Sequence, residues 1–362
     1  MAPTPRGITA REFGRMPDGR LLTEYTLDNG LGLRLCAINI GGIVTALHVP
    51  DRHGQSGNIV LGLPTLADYL RPHPHLGTIV GRHANRIAHG RFTLDDEPHQ
   101  LSINDGAHSL HGGRHGFGTR FWQIAPVPAD ASPDAVAIDL RYTSVDGEEG
   151  YPGTLQVVVR YALHARENTW RIDYRAETTD RATVLNLTHH DYFNLAGSGT
   201  VLDHTLTIAA SRYCPVDPGL IPIGEAPVAG TPFDFRAPRA IGERIGAPHE
   251  QLQTAGGYDH NWVLDRAPAP GGLALAARVA HAPSGRVMEV HTTEPAVQFY
   301  SGNMLDGSLR GSHGEALQRD AGLCLETQHH PDAPNRPEFP STVLRPGERF
   351  ESATEHRFGL LG

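Results

Sequence analysis

The chain has 362 residues, 39% of them hydrophobic, which is ample for a buried core. Its formal net charge of -9 argues against nucleic acid or an anionic membrane surface as the main partner. All 31 basic residues are arginine, which excludes Schiff-base chemistry and the lysine of a phosphate-binding loop.

No apolar run is long enough for a transmembrane helix. Met1-Ala-Pro-Thr-Pro-Arg6 has no apolar stretch after its charge, so it does not read as a signal peptide. Cys36, Cys214 and Cys324 are odd in number and far apart. They read as reduced, mostly buried thiols in a cytoplasmic protein. A nucleophilic role is the minor alternative, considered for Cys324 because it lies two residues from Glu326.

In chain order, Leu31 to Ile40 and Ile43 to Val49 read as strands joined at Gly41-Gly42. Thr65 to Leu70 has the composition of a turn or two of helix. Arg91 to Ser102 reads as two strands around an acidic turn. Val136, Ile138, Leu140 and Tyr142 alternate with more polar neighbours. So do Leu155, Val157, Val159, Tyr161 and Leu163, and then Trp170, Ile172, Tyr174 and Ala176. Each is a strand with one buried and one wetter face, as in antiparallel sheets. The short link Arg166 to Thr169 makes the last two a hairpin. Ala240 to Ile245 supplies a second short helix. The proline-rich stretch 267–272 reads as a surface loop. Glycine (41) and proline (28) are spread along the chain rather than gathered into a linker. One large β-sandwich domain over 1–362 is therefore expected.

Five segments carry chemistry. Gly81-Arg-His-Ala-Asn-Arg-Ile87 places Asn85 and Arg86 in a glycine-bounded turn, where they can hydrogen-bond a polyol. Ser109-Leu-His-Gly-Gly113 lets glycines bring the His111 imidazole close to a ligand. Asn186-Leu-Thr-His-His-Asp-Tyr-Phe-Asn-Leu-Ala-Gly197 offers two adjacent histidines. On a strand, His189 and His190 point to opposite faces and only one serves a given site. Gly257-Tyr-Asp-His-Asn-Trp-Val263 offers Asp259, and Glu294 to Asn303 offers Gln298. Leu325-Glu-Thr-Gln-His-His-Pro-Asp-Ala-Pro-Asn335 places Glu326 on a strand end before a proline-rich turn. An imidazole and a carboxylate are the natural pair for taking a proton off one oxygen and giving another to a second oxygen. Read alone, each string has a blander meaning: a loop histidine, a turn aspartate, a strand-end glutamate paired with arginine. There is no His-Glu-x-x-His or Cys-x-x-Cys, so no metal is expected.

Taken in order, these five segments resemble the aldose 1-epimerase (galactose mutarotase) family. Tyr213-x-Pro-Val-Asp217 and Gly230-Thr-Pro-Phe-Asp-Phe-Arg236 add to the likeness, which runs from about Leu21 to Arg357. The resemblance implies an all-β fold, a large antiparallel β-supersandwich with an open sugar cleft and no cofactor. It implies Glu326 and His190 as the catalytic pair, with Asn85, Arg86, His111, Asp259 and Gln298 holding hydroxyls of a free aldose such as galactose or glucose. The substrate is then a monosaccharide bound by a monomer or homodimer. Unperturbed pKa values of about 4.3 and about 6.5 suggest an ionised Glu326, with His190 kept protonated by a nearby carboxylate. Arg86, and Arg82 beside it, are the obvious anion partners near the site, so a phosphorylated sugar is not expected. The chain departs from the family pattern at His83 (usually aliphatic), His189 (usually asparagine), Asp191 (usually small or hydroxylated) and Trp262 (another aromatic). Two other readings stay open. One is a glycosidase using Glu326 and Asp259 as paired carboxylates. The other is a sugar-binding protein without turnover.

Overall fold

Nine strands form the largest sheet of the computed structural model, which describes residues 6–265 and 272–362. The order runs Gln123–Pro126, Ala135–Ser144, Leu155–His164, Thr169–Thr178, Phe350–Leu360, Arg286–Thr292, Ala274–Ala280, Thr205–Ile208, Arg239–Ala240. Every pairing in it is antiparallel. The alternation in the sequence explains its two faces. Leu155, Val157, Val159, Tyr161 and Leu163 are buried, with Leu140 and Tyr174 on the strands either side of Val159. On the outer face Asp139 and Arg160, directly opposite each other, pair at 2.7 Å. Truncating a fully buried leucine here, such as Leu155→Ala, costs about 2–5 kcal/mol.

A five-stranded sheet covers the N-terminal part: Gly7–Arg15, Leu21–Asp28, Arg34–Ile38, Val44–Pro50 and Ser56–Asn58. The expected hairpin at Gly41-Gly42 is present, but its first strand starts only at Arg34. Asn29 explains the late start: its side-chain oxygen accepts from the Leu31 and Leu33 amides and holds a loop there. Gly41 and Gly42 take φ of 63° and 60°, and a Cβ on Gly42 would lie 2.4 Å from the Ile79 side chain. The three central strands, their hairpin and the pair within 91–102 all form as the sequence implied.

Helix is scarce. Leu66–Tyr69 is a single turn capped by Thr65. The second expected helix is reduced to a 3-10 turn, Ile241–Glu243, because Ala240 before it is extended and Arg244 after it, at φ -132° and ψ 3°, leaves the helical region. A helix the sequence reading passed over, Glu250–Ala255, is closed by Gly256 in the left-handed conformation. No helix of the described residues is long and apolar enough to cross a membrane. The proline-rich stretch 267–272 lies outside the described residues except for Gly272. The architecture is the large antiparallel β-supersandwich that the resemblance implies. All three cysteines are free; Cys214 and Cys324 are buried and Cys36 is half-buried.

Candidate active site

A third sheet builds the floor of the site. Its order is Ala226–Pro227, Arg212–Cys214, Asp259–Val263, Ala296–Tyr300, Cys324–Gln328. The register aligns Asn261 with Gln298 and Gln298 with Glu326, and aligns Asp259 with Tyr300 and Tyr300 with Cys324. Residues directly opposite share a face, and so do residues two apart. One face therefore gathers Asp259, Gln298, Tyr300, Cys324 and Glu326. The other sends Trp262, Phe299 and Leu325 into the core. A slip of one residue would exchange the two faces.

The facing wall comes from four loop segments. The Thr188–His189 strand pairs with Ile79–Val80, and His190 follows it with its backbone amide bonded to the Thr78 carbonyl (3.0 Å). Ser109–Leu110 pairs with Arg86–Ile87, which sets His111 beside Asn85. Asn85 and His111 both have left-handed backbones, φ 61° and 51°. The Asn85 amide donates to His111 Nδ1 at 3.2 Å. The His-Gly-Gly motif is required by close approach: a Cβ on Gly112 would sit 1.9 Å from the Gly81 carbonyl oxygen. The proline-rich turn after Glu326 is pinned to the same wall. Asp332 Oδ1 accepts from the Ala88 amide (2.9 Å) and its own amide donates to the Arg86 carbonyl (2.8 Å).

Between wall and floor lies a cleft of about 200 Å³ lined by Asn85, Arg86, His111, His190, Asp259 and Glu326, with Pro74, His75, Leu110, Tyr192, Tyr300 and Met304. Pockets for drug-sized ligands run roughly 300–1,000 Å³, so this one suits a single small ring. Larger hollows of about 450 and 630 Å³ exist elsewhere, but neither is lined by Glu326 or His190. Six of the residues that the resemblance implied are thus brought together. Gln298 is not on the lining; it stands behind Asp259 and donates to its Oδ1 at 2.7 Å.

His190 Nε2 faces Glu326 Oε1 at 3.7 Å. Arg86, almost fully buried, donates through Nε to Asp105 (2.7 Å) and has Nη1 3.8 Å from Asp259. Burial dominates the titration of the pair. It pushes Glu326 well above the usual carboxylate range, helped by the Asp259 charge and opposed by Arg86. It pushes His190 well below the usual histidine value, with His75 adding to the effect. This corrects the expectation of an ionised glutamate beside a protonated histidine. The carboxylate is close enough, but desolvation of both groups outweighs its attraction and favours the neutral forms. Burial also raises Asp259.

His189 turns away from the cleft, as two neighbours on a strand must. Its Nδ1 meets Asp191 Oδ2 at 2.6 Å and its Nε2 lies 2.7 Å from the Tyr161 hydroxyl. Arg82 is not an anion partner near the site. Its guanidinium is spent on the carbonyls of Pro152 and Gly153 and on Ser144. His83 is fully buried, and neither ring nitrogen makes a hydrogen bond of good geometry. Cys324 Sγ is 3.5 Å from His190 Nδ1, and burial raises its thiol well above the ordinary value, so it is no nucleophile at neutral pH. The sequence reading missed His75, Tyr192, Tyr300 and Asp105, which line the cleft or hold a lining residue. Tyr192 and Tyr300 sat inside recognised motifs, Asn186 to Gly197 and Glu294 to Asn303; His75 and Asp105 did not.

Two clusters have the spacing of metal ligands among the described residues: His111, His190 and Glu326, and Asp203, His204 and His281. Hydrogen bonds commit His111 of the first and both imidazoles of the second. His111 Nδ1 accepts from the Asn85 amide, which leaves its other nitrogen protonated and a donor into the cleft. His204 Nε2 accepts from the Leu195 amide (3.0 Å) and His281 Nδ1 accepts from the Ser284 amide (3.4 Å). Their remaining nitrogens, protonated, face Asp203.

Residues 23–357 match the family model described as aldose 1-epimerase. Among curated relatives, the galactose mutarotase of Sus scrofa is 44% identical over 358 residues, covering 98% of this chain and 99% of that one. The aldose 1-epimerase of Escherichia coli K12 is 39% identical over 348 residues, covering 94% and 96%. The crystal structure of a galactose 1-epimerase from Lactobacillus acidophilus superposes with a TM-score of 0.86 at 28% identity, covering 99% of this chain and all of the other.

Proposed function

This chain belongs to the aldose 1-epimerase family, and from that membership we propose how its cleft carries out the interconversion of α and β anomers. The protein is an isomerase of a free aldose. The reaction opens a hemiacetal. Glu326 takes the proton from the anomeric hydroxyl, the C1–O1 bond becomes a carbonyl and the bond from C1 to the ring oxygen breaks. His190 gives a proton to that oxygen. The open aldehyde turns about C1–C2 and closes with its other face presented, and the two residues reverse roles.

The observation that carries this reading is the His190–Glu326 pair, 3.7 Å apart across a cleft of one-ring size. Together the two groups need a single proton. Among the protein groups alone, burial favours that proton on Glu326. Arg86 pulls toward the carboxylate form, and sugar hydroxyls entering the gap add further donors. The proton then moves to the imidazole with no change in total charge. Asn85, Arg86, His111 and Asp259 hold the hydroxyls, and Gln298 orients Asp259. Holding the ring matters because the open form must rotate without leaving.

The same proposal takes residues 1–362 as one domain, supported by a single apolar cluster that runs from Leu27 to Leu344. It places a monomer or homodimer in the cytoplasm, a location supported by three free cysteines. Galactose and glucose are the substrates of choice. The test is polarimetry on freshly dissolved α-D-galactose and α-D-glucose in weak buffer. Faster decay to the same final rotation is expected. No acceleration with any aldose, together with tight sugar binding, would turn the assignment to a binding protein. Release of reducing ends from an oligosaccharide would turn it to a glycosidase.

A further inference from the structure

The loop 73–78 leads into the cleft ahead of the Gly81-Arg motif and carries a side chain that no step above uses. His75 lines the cleft. Its ring lies 4.6 Å from the His111 ring, edge-on, and 5.7 Å from the His190 ring. It therefore belongs to the wall that meets the sugar. Its backbone is left-handed, φ 56°, like those of Asn85 and His111. A residue with a Cβ holds such a conformation only where its surroundings fix it. Here they do. The His75 amide donates to the His73 carbonyl (2.8 Å), and the Thr78 amide and hydroxyl both donate to the His75 carbonyl (3.2 and 3.1 Å). The loop is also tied to the His190 segment, because Gly77 donates to the His190 carbonyl and Tyr192 donates to the Pro74 carbonyl (both 2.9 Å).

The ring itself has no hydrogen-bond partner among the described residues. Burial lowers its pKa to about 4, so at neutral pH the imidazole is uncharged. It then has one donor and one acceptor to satisfy. A sugar hydroxyl is both. Water can fill the same role, but a rigid ring fixed beside the reacting pair gains more from a ligand that is itself held.

We propose that His75 is a substrate-contacting residue that hydrogen-bonds one hydroxyl of the aldose ring beside the His190–Glu326 pair. The proposal rests on the mutarotase reading and adds a residue to it. His75→Phe keeps the ring and its packing but removes both nitrogens. His75→Asn suits the left-handed backbone better and guards against misfolding, since its short amide does not reach as far. Both variants are compared with wild type on α-D-galactose and on its 2-, 3-, 4- and 6-deoxy analogues by polarimetry, with circular dichroism as a check on fold.

On galactose, kcat/KM is expected to fall about five- to tenfold in both variants, mostly through KM, the size of one lost hydrogen bond. On one of the deoxy sugars wild type and variants should agree within twofold, which would identify the hydroxyl bound. Variants within twofold of wild type on galactose would overturn the proposal. So would an equal deficit on every analogue, which is the mark of a structural role. A wild-type protein that accelerates none of these sugars would overturn the mutarotase reading and this inference with it.

Discussion

His190 Nε2 and Glu326 Oε1 lie 3.7 Å apart, too far for a hydrogen bond with each other. The gap leaves both atoms free to hydrogen-bond a guest. One belongs to a loop following a two-residue strand and the other to the floor sheet, so wall and floor must both be in place for the gap to have this width.

Removing either partner should leave a folded protein that binds sugar and turns it over slowly. Glu326→Gln and His190→Asn are each expected to lower kcat by about 10²- to 10⁴-fold, the usual contribution of a positioned acid or base. KM should change much less. Initial polarimetric rates on galactose check this, and a variant that kept near-wild-type kcat would remove its residue from the mechanism.

Asp259 supplies part of the upward push on Glu326, after burial. Asp259→Asn removes that negative charge, so the acid–base pair holds its protons less firmly. The acid limb of the kcat/KM profile should therefore move to lower pH, whatever the variant costs in KM. A limb that stays in place, or moves up, would mean that Asp259 does not act on Glu326 through its charge.

His83 is fully buried, and its ring nitrogens lack well-formed hydrogen bonds. An unsatisfied buried polar group costs roughly 1–3 kcal/mol. His83→Leu, close in volume, should raise stability at pH 7 by about 1–2 kcal/mol. Urea unfolding midpoints measure the difference. An unchanged or lower midpoint would show that the imidazole is satisfied, for instance by a buried water.

Histidines make the fold acid-labile. Burial lowers His83, His260 and His356 to about 3. The unfolded chain binds protons at these rings below about pH 6.5, while the folded chain refuses them until about pH 3. Stability is therefore full above pH 6.5 and is lost as pH falls through that window. These three groups alone contribute up to about 4 kcal/mol per pH unit, and His48, His73, His75, His204 and His330, lowered to about 4, add to it in the same direction. Denaturant unfolding at pH 7.5, 6, 5 and 4 checks the sign; a flat profile would contradict it. The loss should be shallower in His83→Leu.

The long strands were legible because Leu155 to Leu163 alternates cleanly and each face meets one environment. The floor sheet was not. Arg212–Cys214 and Ala226–Pro227 are too short to show a period and exist because neighbours pair with them. The Glu250–Ala255 helix carried a readable stop in Gly256 but is too short for an amphipathic stripe. Glu326 could be singled out only through the order of the motifs, since a glutamate on a strand end is ordinary. His75 was illegible because nothing in Pro-His-Pro-His says which ring faces a cleft. The titration of His190 and Glu326 was misjudged from proximity alone, because desolvation depends on packing that no string reveals.

The strand Phe350–Leu360 sits in the middle of the nine-stranded sheet, bonded on one side to Thr169–Thr178 and on the other to Arg286–Thr292. During synthesis the ribosome therefore releases two partial sheets whose facing edges stay unpaired until this segment emerges. Those edges invite association between nascent chains. Completion of the main sheet is a late, long-range event, and a premature stop before residue 350 would leave a polypeptide split through its centre rather than trimmed at its margin.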